Sequence, residues 1–136
     1  MVNGDHIELW LDLDYEKNKN AGNAVSGVYQ IGISPGNFAD KPAGVYDWLP
    51  GGLLKNKQAE IEVKALKTPK GYAMELRLPW ALLGTFRPTG GKAFRLNIDP
   101  SDTDGAEKPL QDALMSSSHF REWGNPKTFR QGEFAP

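Results

Sequence analysis

Apolar and polar residues alternate with a period of two along most of this chain. In the stretch DHIELWLDLD, Ile7, Leu9, Leu11 and Leu13 occupy every second position, which is the pattern of a β-strand with one face on a core. The same alternation occurs in VSGVYQIGIS, AEIEVKALK, GYAMELRLP and AFRLNID, and GEF near the end adds a short terminal strand. These segments predict an all-β fold, an antiparallel β-sandwich.

The predicted core consists of the apolar residues that share one side of these strands, namely Leu9, Leu11, Ile31, Ile33, Val63, Leu76, Leu78, Leu96 and Ile98. PWALLG predicts one short helical turn, because proline suits the first position of a helix and glycine ends one. Residues 35–58 form a long connection, which is either functional or contains a short irregular strand. In it, Tyr46 and Trp48 either fold back as a lid over one end of the core or contact a ligand.

Composition narrows the possible partners. The 136 residues are 39% hydrophobic and 24% charged, which favours one globular domain. A net charge of -1 gives no reason to expect a nucleic acid or an anionic membrane as a partner. Because the chain has no cysteine, it has no disulfide, thiol nucleophile or cysteine-bound zinc. No apolar run approaches the roughly 20 residues that span a bilayer, and residues 1–5 lack the pattern of a signal peptide.

The order of the motifs resembles that of family 9 carbohydrate-binding modules, relatives of the DOMON-type β-sandwiches. The resemblance rests on DHIELWLD, YQIGIS, GYAMELRLPWALL, FRLNIDPSDTDG and REWGNPKTF, which span nearly the whole chain. It implies an immunoglobulin-like or jelly-roll-like sandwich that binds a plant-type polysaccharide or its chain ends without catalysis. It also implies a secreted, periplasmic or cell-surface location, as an appendage of a secreted enzyme. Residues 1–136 would then be one module domain that lacks the amino-terminal strands of the family.

The resemblance assigns a function to Trp123, which is surrounded by loop-forming residues in REWGNPKTF. Family members hold a sugar between two tryptophans, and Trp123 matches the later one. A flat indole covers the apolar C–H face of a pyranose while polar groups bond its hydroxyl rim. The alternative is that Trp123 packs across the end of the sandwich with Pro126 and Phe129. Asn125, in the same W-x-N-P motif, is a further candidate for sugar binding.

Other expected sugar contacts are matched only in part. Glu8 matches a position that contacts sugar hydroxyls in the family, although a solvated strand glutamate would read the same. The family's second tryptophan would fall at residues 2–4, where the chain has Val, Asn and Gly. The arginine expected in the second strand is replaced by Gly32. Trp10, Tyr46 and Trp48 are the candidates for the missing ring, and Trp10 shares the polar face with Glu8.

Three carboxylates in IDPSDTDGAE, those of Asp99, Asp102 and Asp104, are candidate calcium ligands next to a turn at Gly105. Calcium prefers such a density of oxygen ligands. The spacing is not that of an EF-hand, so a plain acidic turn is the alternative. The resemblance implies structural calcium, because family members can contain it.

Three functions other than sugar binding are compatible with a chain of this class, namely catalysis, haem binding and service as a spacer. The chain has no nucleophile motif, and among 17 acidic residues some pair lies at a glycosidase-like distance in any fold, so no enzyme is predicted. DOMON relatives include haem domains, for which Met74, Met115 and His119 are candidate ligands. A β-sandwich that serves only as a spacer or interaction module is a third possibility. Missing opening strands would also expose sheet edges and favour a homo-oligomer.

Overall fold

A computed structural model describes residues 4–104 and 111–136. Residues 2 and 3, where the family's second tryptophan would fall, and Gly105 of the predicted acidic turn lie outside the described part. The described part contains eight strands, which are β1 (His6–Asp12), β2 (Val28–Ser34), β3 (Gly44–Leu49), β4 (Glu62–Thr68), β5 (Gly71–Arg77), β6 (Ala93–Asp102), β7 (Ala113–Leu114) and β8 (Arg130–Glu133). It also contains the one-turn helix α1 (Tyr15–Asn18) and 3-10 turns at Gln58–Glu60, Trp80–Leu82 and Pro126–Thr128. The predicted helical turn of PWALLG is the second of these 3-10 turns.

The strands form two antiparallel sheets. The large sheet has the order β3-β2-β1-β6-β7, and β8 also pairs with β6. The small sheet is the β4–β5 hairpin. β1 lies at the centre of the large sheet, between β2 and β6. The predicted all-β antiparallel sandwich is confirmed.

The hydrophobic core lies between the two sheets. Eight of the nine predicted core residues belong to this core or pack against it, and they are Leu9, Leu11, Ile31, Ile33, Val63, Leu76, Leu78 and Leu96. The prediction for Ile98 is wrong, because 39% of its surface is exposed. The small sheet has two strands and the large sheet six, so the hairpin cannot cover every inward position of its partner.

The long connection of residues 35–58 contains strand β3, which pairs with β2 in a register that places Tyr46 opposite Gly32. β3 is the short irregular strand that was one of the two predictions for this segment. Its pairing with β2 shifts in register between Gln30 and Ile31 of β2. The lid expectation is wrong. Val45 is buried in the core, and Tyr46 contacts the opposite face of the sheet over Gly32.

Within residues 4–104 and 111–136, no helix is long and apolar enough to cross a membrane.

Candidate functional site

The face of the large sheet that points away from the core is polar and buried. Eight polar side chains of this face are no more than 9% exposed, and they are His6, Glu8, Asp12, Gln30, Arg95, Asn97, Asp99 and Ser101. Sequence alternation predicts the polarity of this face, and the structure shows that the face is also buried. Residues 115–129, called the cover loop below, and the backbone carbonyls at the end of α1 close over the face.

Glu8 is a hub of this polar face. Its Oε2 accepts hydrogen bonds from Trp10 Nε1 at 3.2 Å, Gln30 Nε2 at 3.1 Å and Arg121 Nη2 at 3.4 Å. Burial acts to raise the pKa of Glu8, but the nearby His6 ring and hydrogen bonds from Gln30 and Trp10 outweigh it and leave the pKa below its usual value. Glu8 is therefore a buried, well-partnered carboxylate, and the alternative of a solvated strand glutamate is wrong.

Arg121 joins the cover loop to two strands. It faces Glu8 of β1 and Asp99 of β6, which lie directly opposite each other in the sheet. Arg121 Nε approaches Asp99 Oδ2 to 2.7 Å, although within the described residues neither atom completes a hydrogen bond. Burial raises the pKa of Asp99 and outweighs the lowering effects of Ser116 and Arg121. Arg121 thus neutralises two carboxylates that would otherwise repel each other.

Trp123 stands at the tip of the cover loop. Asn125 N donates to Glu122 O at 3.1 Å, which closes a turn with Trp123 and Gly124 at its centre. Gly124 has φ of 67°, a conformation that favours glycine. The indole is 68% exposed and perpendicular to the Trp10 ring, with centroids 5.8 Å apart. The sequence EWGN therefore presents Trp123 outward, and Trp10 supports it from below.

Trp10 is fully buried and packs with Val28 and Phe129 in a second, smaller apolar cluster. Phe129 contacts Trp10 at a centroid distance of 5.6 Å. The cluster forms on the polar side of β1, where Trp10 meets Val28 of β2 and Phe129 of the cover loop. A sugar-facing role for Trp10 does not fit this burial, so the prediction that it replaces the missing ring is wrong.

Asn125 stabilises the cover loop itself. Its Oδ1 accepts a hydrogen bond from Lys127 N at 3.1 Å, at the start of the turn Pro126–Thr128. Its Nδ2 donates to Glu122 Oε2 at 2.7 Å. Glu122 and Asn125 are the first and last residues of the turn that presents Trp123.

Tyr46, Trp48 and His6 form an aromatic cluster at the β3 side of the polar face. The rings of Tyr46 and Trp48 meet edge to face at a centroid distance of 4.6 Å, and His6 lies 5.6 Å from Trp48. Both aromatic rings of β3 are half-buried. The hydroxyl of Tyr46 is buried, and in the described part of the chain it has no hydrogen-bond partner.

In fold, the chain is similar to a family 9 carbohydrate-binding module from Caldicellulosiruptor kristjanssonii in complex with cellotriose. The TM-score is 0.67 at 16% sequence identity. The two proteins share a β-sandwich fold. The match covers 96% of this chain and 57% of that chain, so this chain spans little more than half the length of its structural relative. The sequence matches no protein-family model and no curated protein.

Gly32 stands where the resemblance to this module family predicts an arginine, and the structure gives a reason for glycine. A Cβ at Gly32 would overlap Cζ of Tyr46, so the Tyr46 ring occupies the space above the strand. An aromatic ring therefore fills this part of the polar face.

Replacing Gly32 by alanine is expected to destabilise the protein by about 1–3 kcal/mol, because the Tyr46 ring is held by Trp48 and His6 and cannot move away freely. Gly44→Ala is the matched control, since a Cβ there meets nothing within 4 Å. Urea unfolding of both variants measures the difference. Equal stabilities of the two variants would show that the Tyr46 ring does not occupy this space.

His6 is placed between acceptors. Its Nδ1 lies 2.9 Å from Gly4 O and its Nε2 lies 3.8 Å from Glu8 Oε1, which favours a ring protonated on both nitrogens. Burial acts to lower the pKa of His6, but the contacts with Glu8 and Gly4 outweigh it and raise the pKa above its usual value.

The stability of the protein is expected to fall through the titration of His6 as the pH rises. A raised pKa in the folded state means that protonated His6 stabilises fully below about pH 6.5, and this stabilisation is lost as the pH passes the raised pKa. Thermal melts across this range should show a steeper loss for the wild type than for His6→Gln. His119→Gln is the control, because His119 is exposed and lies outside the contacts of His6. A constant difference between wild type and His6→Gln at every pH would contradict the expectation.

The three carboxylates proposed for calcium do not come together. Asp99 lies on the polar face against Arg121, whereas Asp102 is exposed, since an odd and an even position of one strand point to opposite faces. Repulsion by Asp104 raises the pKa of Asp102. In residues 4–104 and 111–136, no group of three His, Cys, Asp or Glu side chains is arranged to hold a metal ion. Calcium stays a prediction, and Asp99 is withdrawn from it.

Of the candidate haem ligands, Met74 is separated from Met115 and His119, which both lie in the cover loop. Met74 packs against the core between the sheets. His119 belongs to the cover loop, on the other side of the large sheet, and is exposed. Because β1 and β6 lie between them, Met74 and His119 cannot bind the same haem iron.

Proposed function

We propose that this chain binds carbohydrate without catalysis, with Trp123 as the platform for one sugar ring. The observation that supports the proposal most strongly is that Trp123 is 68% exposed although its loop is tied to the sheet on both sides. A large apolar ring held in water on an ordered turn is typical of a binding surface. The similar module from Caldicellulosiruptor kristjanssonii was determined with cellotriose, which favours a glucan-like ligand for this chain.

The surroundings of Trp123 suit a pyranose. The indole offers an apolar surface for the axial C–H groups of a sugar. Glu122 and Asn125 supply a carboxylate and an amide for the hydroxyl rim, and their mutual hydrogen bond of 2.7 Å orients both. One aromatic platform with a few hydrogen bonds supports a dissociation constant in the range of about 1 μM to 1 mM.

Tyr46 and Trp48 are proposed as the second aromatic wall. They lie on β3, on the same polar face that the cover loop closes from the β6 side. Their rings are only half-buried and therefore leave apolar surface that a sugar could contact. The hydroxyl of Tyr46 is buried and is not part of this surface. Glu8 is proposed to hold the surrounding side chains in place and not to bind the sugar directly, because its Oε2 already accepts hydrogen bonds from three donors.

The wider setting is proposed from the same likeness of fold. The chain would act as a secreted or cell-surface appendage that holds a polysaccharide-degrading enzyme on a plant-type polysaccharide or its chain ends. Such modules contribute through proximity, because a tethered enzyme meets its substrate at a raised effective concentration.

A carbohydrate array with cello-, xylo- and manno-oligosaccharides tests the proposal, with Trp123→Ala as the comparison. The proposal expects the wild type to be retained on at least one series and the variant on none. Equal retention of both proteins, or retention of neither at millimolar oligosaccharide, would contradict it.

A spacer or interaction module is the second candidate, and exposed apolar residues favour it. Leu66 of β4 is 69% exposed, and Ile98 faces water beside a small sheet of two strands. In the described part of the chain, β4 and β5 pair with each other alone, so each has a free edge. Association of two copies through these edges stays a prediction.

A further inference from the structure

Arg121 is the charged contact between the cover loop and the sheet that the sequence analysis missed. The loop is fixed at its beginning, where Ser116 and Ser117 bond Asn97, and at its end, where Phe129 packs on Trp10. Between residues 119 and 122, His119, Phe120 and Glu122 are exposed, whereas Arg121 is mostly buried. Arg121 is therefore a contact of the middle of the loop with the sheet, two residues before Trp123.

Arg121 forms ion pairs with two carboxylates and lies near an aromatic ring. Its guanidinium spans Glu8 and Asp99 and lies 5.7 Å from the centre of the Trp10 ring. Only 15% of its side chain is exposed, so water screens these charges weakly. The rigid, planar guanidinium contacts the two carboxylates through different nitrogen atoms, Glu8 through Nη2 and Asp99 through Nε.

We propose that Arg121 is a positioning residue that holds Trp123 in place for sugar binding, an inference that rests on the proposed function. The guanidinium fixes the middle of the cover loop through both strands, two residues before the platform ring. A loop fixed in advance loses less conformational entropy when the sugar arrives. Without Arg121, the facing carboxylates of Glu8 and Asp99 lose the cation that they share beneath the loop, and Trp123 is no longer held in one position over Trp10.

The experiment measures cellotriose affinity by calorimetry and amide hydrogen exchange of the free protein. Arg121→Ala is expected to weaken cellotriose binding at least about tenfold and to speed exchange in residues 119–128, while β1 and β2 stay protected. Arg121→Lys should recover part of the affinity, because it keeps the charge but loses the fork. Lys127→Ala, which removes a positive charge from the same loop, is the matched control and should change affinity by less than about twofold.

If Arg121→Ala fails to fold, Arg121→Ala combined with Asp99→Asn removes one of the facing carboxylates and takes its place in both measurements. Wild-type affinity and wild-type loop exchange in these variants would overturn the inference, and so would a uniform rise of exchange across the sheet. If the wild type binds no oligosaccharide, the proposed function has failed. Exchange in the cover loop then decides separately whether Arg121 holds the loop, since unchanged exchange overturns that claim and faster exchange upholds it.

Discussion

Trp123→Ala is expected to abolish detectable binding of oligosaccharide while leaving the melting temperature nearly unchanged. The exposed indole supplies most of the apolar contact, and an indole buries roughly 150–250 Å² when fully covered, of which a sugar covers one face. At about 25 cal/mol per Å² this contact contributes a few kcal/mol, which is most of the free energy of a weak complex. Little stability is lost, because 68% of the ring already faces water.

Trp80→Ala is the matched control for this variant. Trp80 is 37% exposed and contacts Phe86 and Phe134, away from the cover loop. It should retain sugar binding. Calorimetric titration and a thermal melt of both variants give the comparison, and a destabilised Trp123→Ala protein that still binds sugar would defeat the platform hypothesis.

Trp10→Ala is expected to cost about 3–5 kcal/mol of the free energy of unfolding, a large part of the roughly 5–15 kcal/mol that stabilises a typical domain. The ring is fully buried between Val28, Phe129 and the edge of Trp123, and alanine would leave a cavity there. It would also remove the Nε1 donor from Glu8. Guanidinium unfolding of the variant measures the loss.

Trp10→Phe separates packing from hydrogen bonding at this position. It keeps an aromatic ring in the cluster but removes the 3.2 Å hydrogen bond to Glu8, so a smaller loss than for alanine is expected. Wild-type stability in Trp10→Ala would mean that Trp10 is not enclosed by the cover loop, contrary to the structure.

The strands could be predicted from the sequence because one face of each strand repeats at every second residue. Ile7, Leu9, Leu11 and Leu13 mark β1 in this way, and the face opposite carries Glu8 as expected. The exposure of Trp123 was foreseeable from its position in a turn, because EWGN contains the residues that a turn requires. Local signals of this kind need no knowledge of distant contacts.

The burial of the polar face could not be predicted, because it depends on contacts between distant parts of the chain. Glu8 and Arg121 are 113 positions apart and meet only after β1, β6 and the cover loop are assembled. The exposure of Ile98 depends on the width of the facing sheet, which alternation does not encode. The only sequence signal for Arg121 is a basic residue two positions before the platform tryptophan.

The most direct test of the central claim is an NMR titration with cellotriose that follows the indole N–H signals of the four tryptophans. The account predicts a saturable shift of the Trp123 signal at ligand concentrations of about 1 μM to 1 mM, while the signal of Trp80 stays unchanged. A Trp123 signal that stays unmoved at saturating cellotriose and with longer glucan oligosaccharides, or a shift centred on Trp80, would contradict the account.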